Sequence, residues 1–128
     1  MKLSTLFIIN TIVAILFGLG FVLLPATVLS WYGVTLNDAG LYIARLFGGS
    51  LLGFGIISWL VRDSAGSAAT TQLRAILLAF FISDVLGFVL SLIYQLQGVA
   101  NALGWSTVVI SLLLGLAFGY YWRQRAAA

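Results

Sequence analysis

Two ionisable side chains stand inside long apolar stretches, Asp84 and Arg45. A charge of either type at the centre of a bilayer is unfavourable by about 2.5–3.5 kcal/mol on insertion scales. Such a residue therefore needs a partner, a neutral form or a special role. Asp84 lies in the middle of its run and can lower its cost as the neutral acid or by facing a polar neighbour. Asn10 and Thr11 lie at a comparable depth in the first run, and one of them is the expected partner. Arg45 keeps its proton. It lies about one turn inside its run, so its head can reach outward toward water. Asp84 and Arg45 differ in depth by about five residues, roughly 8 Å. Asp38 or the carbonyls of the neighbouring loop are therefore the better expectation for Arg45.

A lone intramembrane carboxylate has two readings. It can be a polar contact between helices, or a proton or cation site. No second acid, histidine or lysine accompanies Asp84, which makes a poor relay. The chain has no histidine, cysteine or glutamate. The usual zinc, haem and copper ligand sets are thus missing, and no cofactor is expected. A nucleophile with a general base is missing too. Gly48-Gly49-Ser50 lies inside an apolar run without a phosphate-binding lysine. We expect no enzyme.

The elements that must position these residues follow from composition. Of 128 residues, 62% are hydrophobic and 7% charged. So few charges cannot cover the surface of a soluble domain. Four apolar runs stand out, at about 3–24, 41–61, 75–94 and 103–122. Each is long enough to cross a hydrocarbon core of about 30 Å as a helix. None alternates polar and apolar as a barrel strand does. The first run is longer than a signal-peptide core and is read as a retained span. Pro25 closes it, because proline cannot continue the helical ladder. Asn37-Asp38 suits the start of the second helix. The expected fold is all-α, a single four-helix transmembrane bundle over residues 1–128, running up-down-up-down.

Orientation follows from the cations. Lys2, Arg62, Arg74, Arg123 and Arg125 fall on one side, and the connections on the other carry only Asp38. That asymmetry predicts both termini on the cytoplasmic face of the inner (cytoplasmic) membrane. Trp31, Tyr32, Tyr42, Tyr94 and Trp105 fall near the outer interface, and Trp59, Tyr120, Tyr121 and Trp122 near the inner one. The net charge of +3 sits singly between spans, so no nucleic-acid partner is expected. The segment 25–40 reads as interfacial, and 63–72 as a small, polar linker between two hairpins.

Membrane helices associate through small residues that let backbones approach. Such residues repeat every four positions as Gly49 and Gly53, as Ser83, Gly87 and Ser91, and as Ser111, Gly115 and Gly119. These are the expected helix-packing faces, and some of them can serve a membrane-protein partner or a second copy. The stretch 51–55 with Trp59 and Arg62 also resembles 113–116 with Trp122 and Arg123, a likeness that the narrow alphabet of membrane helices produces by chance.

Trp31-Tyr32-Gly33-Val34, the stretch from Tyr42 through Arg45-Leu46-Phe47-Gly48-Gly49, and Trp59-Leu60-Val61-Arg62 are similar to small four-helix bacterial membrane proteins of unknown function. The resemblance covers the first half and implies the four-helix architecture, with Arg45 as the position to link to a shared role. It implies nothing about activity. Two functions are carried forward. One is an accessory or assembly subunit that packs against a larger membrane complex or holds lipid-like ligands. The other is a small oligomeric ion- or proton-coupled transporter or channel using Asp84.

Overall fold

Leu3–Leu23 form the first helix, α1, which is apolar around its whole circumference. It ends where expected. Leu24 leaves helical geometry at φ −135° and ψ 53°, and Pro25 starts a short second helix, α2 (Pro25–Trp31). Proline suits that first position because its missing N–H would be unpaired there anyway. In this computed structural model, which describes residues 1–66 and 70–126, the expected interfacial segment is thus partly helical. Val28 is buried and turns back on α1, where a Cβ at Gly20 would stand 3.0 Å from it. α2 closes with the Val34 amide donating to the Leu29 carbonyl at 3.0 Å. Gly33 supplies the φ of +71° that this reversal needs.

The next helix, α3 (Asp38–Val61), starts at the expected Asn37-Asp38 cap, three residues ahead of the apolar run. The Asn37 side chain accepts from the Gly40 amide at 2.9 Å and fixes the start. A 3-10 turn, Arg62–Gly66, follows. Ser67, within the expected linker, lies outside the described residues. α4 (Thr71–Leu96) begins at a Thr70 cap, whose hydroxyl accepts from the Leu73 amide at 3.1 Å. That cap brings residues 71–74 into the helix, where a linker was expected to 72. Gly98, at φ +73°, opens the tight connection to α5 (Gly104–Ala126). Gln95 and Asn101 hold the connection. The Gln95 amide donates to the Asn101 carbonyl at 3.0 Å, and the Asn101 side chain accepts from the Leu103 amide at 2.9 Å.

The chain is all-α, and no strand occurs among the described residues. Four helices are long and apolar enough to cross a membrane: α1, α3, α4 and α5. Most of their large side chains are exposed, as lipid-facing helices require: Leu60 is 69% exposed and Leu116 62%. Contacts divide the chain into two compact units, Met1–Asp63 and Ser64–Ala128. Each is an antiparallel helical hairpin, α1 with α3 and α4 with α5.

Candidate functional site

In the first unit, α1 turns Leu3, Leu6, Phe7, Asn10, Ala14 and Gly18 to the interior, a spacing of three and four that lines one face. α3 contributes Gly48, Gly55 and Ser58. The two backbones come into contact at Gly18 and Gly48. A Cβ on Gly48 would stand 2.8 Å from the Gly18 carbonyl oxygen and 2.9 Å from the Val22 nitrogen. Both are backbone atoms that no rotamer can move. Gly55 is similarly covered, 2.8 Å from Ile15.

The sequence pattern pointed instead to Gly49 and Gly53 as the packing face of α3. Both are exposed, and nothing beyond the neighbouring backbone of α3 lies within 4 Å of where a Cβ would stand. The register explains the correction. α3 meets α1 along the 48, 55, 58 line, a spacing of seven and three, and the four-residue repeat at 49 and 53 lies to one side of that line. Gly48 and Gly55 are adjacent to or interleaved with the expected residues, but the four-residue rule passed over them.

Asn10 and Thr11 were the expected partners of Asp84. Instead the buried Asn10 amide donates to the Ser58 hydroxyl at 2.7 Å. Thr11 donates to the Phe7 carbonyl at 2.8 Å and shares its proton with the Gly55 carbonyl at 3.3 Å. Both side chains are therefore satisfied within their own hairpin, because antiparallel α3 brings residues 55–58 level with 10–11. Ser58, fully buried, was missed. Its signal was the continuation of the Gly48, Gly55 spacing by three residues.

Arg45 donates to the Val22 carbonyl at 2.6 Å. Among the described residues neither Asp38 nor a carbonyl of the segment 25–40 takes it. The physical reason lies at the end of α1. The last four carbonyls of a helix lack intrahelical donors, and Pro25 has no N–H to offer. A guanidinium placed there fills one acceptor and meets the negative end of the helix dipole. Arg45 thus ties α3 to the terminus of α1.

In the second unit, α4 buries Leu73, Leu77 and Phe80, while α5 buries Val108, Leu114 and Phe118. Phe80 and Phe118 meet edge to face at 5.1 Å, and Phe81 stacks on Trp122 at 6.1 Å. The expected glycines of α5 do pack here. A Cβ on Gly119 would stand 2.8 Å from the Phe81 ring, and one on Gly115 would stand 3.3 Å from the Asp84 Cβ. Gly87 is matched to Ser111 at 3.2 Å. Ser91 returns its hydroxyl to the Phe88 carbonyl at 3.2 Å, whereas Ser83 is exposed and fills no notch.

Asp84 leans its stem on Gly115 and makes no hydrogen bond or ion pair with any described residue. The adjoining cleft between α4 and α5 holds about 60 Å³ and is lined by Phe81, Val85, Phe88, Ser111, Leu112, Gly115 and Leu116. Ser111 is the one hydroxyl among them. A space of that size admits a water or two but no organic substrate. Among the described residues no three metal-ligating side chains converge. The sequence-predicted polar set is thus divided. Asn10, Thr11 and Arg45 knit the first hairpin, and Asp84 stands by itself in the second.

No described protein family, curated protein or solved structure matches the chain.

Proposed function

We propose that this chain is a non-enzymatic integral membrane protein that assembles with another membrane polypeptide, as an accessory subunit of a larger complex. The observation that carries the reading is the open face of α3. Gly18, Gly48 and Gly55 are filled by their own hairpin, whereas Gly49 and Gly53 are exposed with nothing beyond the neighbouring backbone of α3 within 4 Å. A GxxxG pair is the spacing through which a further helix approaches in lipid. The five cations that flank the spans, Lys2, Arg62, Arg74, Arg123 and Arg125, all fall on one side, which supports the inner membrane with both termini in the cytoplasm.

The test is purification in mild detergent of the wild type and of a Gly49→Ile/Gly53→Ile double variant. Wild type is expected to carry a stoichiometric membrane partner. The double variant should lose it at least tenfold while keeping its helix content. A monodisperse wild-type monomer, or undiminished partner on the double variant, refutes the reading.

One observation favours a second reading, a small oligomeric proton- or cation-coupled transporter. The Asp84 carboxyl is unpaired among the described residues in the middle of a span. Proton-dependent flux in liposomes that disappears in Asp84→Asn would establish it. Flux that is absent, or unchanged in that variant, would remove it.

A further inference from the structure

The two hairpins treat their terminal cations differently. In the first, Arg62 is fully engaged. It donates to the Trp59 carbonyl, lies 3.6 Å over the centre of the Trp59 ring, and pairs with Asp63 at 3.5 Å. In the second, Arg74 opens α4 while Arg123 and Arg125 close α5, so all three stand at one end of an antiparallel hairpin. The Phe81–Trp122 stack sets the register there. Arg74 lies seven residues before Phe81, about 10 Å beyond the stack along the axis, and Arg123 directly follows Trp122. Arg74 and Arg123 are exposed, and neither guanidinium bonds to any described residue. The one acidic side chain of residues 64–128 is Asp84, which lies beyond Phe81 in the opposite direction. No acidic side chain of residues 64–128 therefore stands at the level of Arg74 or Arg123.

Aromatic side chains, Tyr120, Tyr121 and Trp122, directly precede Arg123 on α5. Tyr120 and Tyr121 meet edge to face at 5.3 Å, and the Gln124 amide donates to the Tyr120 hydroxyl at 2.6 Å. Such rings sit at the depth of lipid headgroups. At that depth the abundant anion is the lipid phosphodiester, whose oxygens match the two-pronged guanidinium. We propose that the Arg74–Arg123 end of the second hairpin binds the headgroup of an anionic phospholipid. Its acyl chains lie along the exposed apolar flanks of α4 and α5, and Arg74 and Arg123, staggered along the hairpin axis, meet the anionic headgroup at two depths. This site is independent of the α3 face on which the proposed assembly rests.

The test is native mass spectrometry of the full chain released from nanodiscs of equal phosphatidylglycerol and phosphatidylcholine. Wild type should retain phosphatidylglycerol preferentially. Each basic residue near an anionic surface contributes about fivefold in binding, so Arg74→Gln/Arg123→Gln should lose roughly 30-fold. Arg62→Gln, whose partner groups are its own, should change retention less than twofold. Arg74→Lys/Arg123→Lys keeps the charge and should recover most of the binding, which separates lipid loss from misfolding. Inorganic phosphate at millimolar concentration should not displace the lipid, because it lacks acyl chains. Equal retention of the two lipids, equal loss in Arg62→Gln, or displacement by free phosphate would each overturn the proposal.

Discussion

Between α1 and α3 the backbones approach until Gly18 and Gly48 touch, and polar groups bridge what remains: Asn10 to Ser58, Thr11 to Gly55, Arg45 to Val22. Between α4 and α5 the contact is of another kind than a polar bridge. Rings take its place, with Phe80 against Phe118 and Phe81 against Trp122 and Gly119. Lipid provides no hydrophobic drive for either pairing. The first hairpin gains contact by removing side chains and adds direction with hydrogen bonds. The second gains contact by filling glycine notches with aromatic surface. The difference reaches the glycines that look alike in sequence. Gly53 and Gly115 sit in similar stretches, yet Gly53 faces open space and Gly115 carries Asp84.

That contrast can be broken in three places. The largest effect is expected at Gly48→Ile, where the new side chain would meet fixed backbone atoms at 2.8–2.9 Å. Overpacking of that kind should destabilise the first hairpin by about 3 kcal/mol or more. Gly49→Ile, one residue away, should leave the hairpin unchanged, as read by reversible unfolding in mixed micelles. Equal effects at the two positions would mean that α3 does not meet α1 along the 48–55–58 line.

Next comes Phe118→Ala, which empties the fully buried ring site on α5. A void of roughly 100 Å³ at ~24 cal/mol per Å³ gives about 2 kcal/mol, confined to the second hairpin. The same unfolding assay, with a fluorescent probe on each hairpin, would expose any spread into the first.

The smallest effect is expected at Asn10→Ala. Interhelical hydrogen bonds in membranes average about 0.6 kcal/mol by double-mutant cycles. A cycle with Ser58→Ala should return a coupling of about that size. A coupling of zero would reduce the Asn10–Ser58 contact to a consequence of packing, and with it the polar character assigned to the first hairpin.

Much of the fold was legible from local signals. Run length predicted the spans, Pro25 the end of α1, and Asn37 the start of α3, since each acts through its own backbone or its nearest neighbours. The α5 glycines were also legible, because Gly115 and Gly119 repeat every four residues along the face that α4 meets. Gly49 and Gly53 share the same spacing but lie off the contact line. A repeat identifies a face of a helix without saying whether a neighbour stands there. Asn10 illustrates the same limit. Its depth was readable, but depth admits several partners, and Ser58 became one only when α3 came back alongside.

The sequence by itself determined an all-α chain with four apolar helices long enough to cross a membrane, because these follow from run length, breakers and caps within one segment. Only the tertiary structure decided which polar group meets which: Asn10 to Ser58, Arg45 to the end of α1, Asp84 to the back of Gly115. The physical reason is geometric. Depth in a membrane depends on position along one helix, whereas contact depends also on the rotation and register of a second.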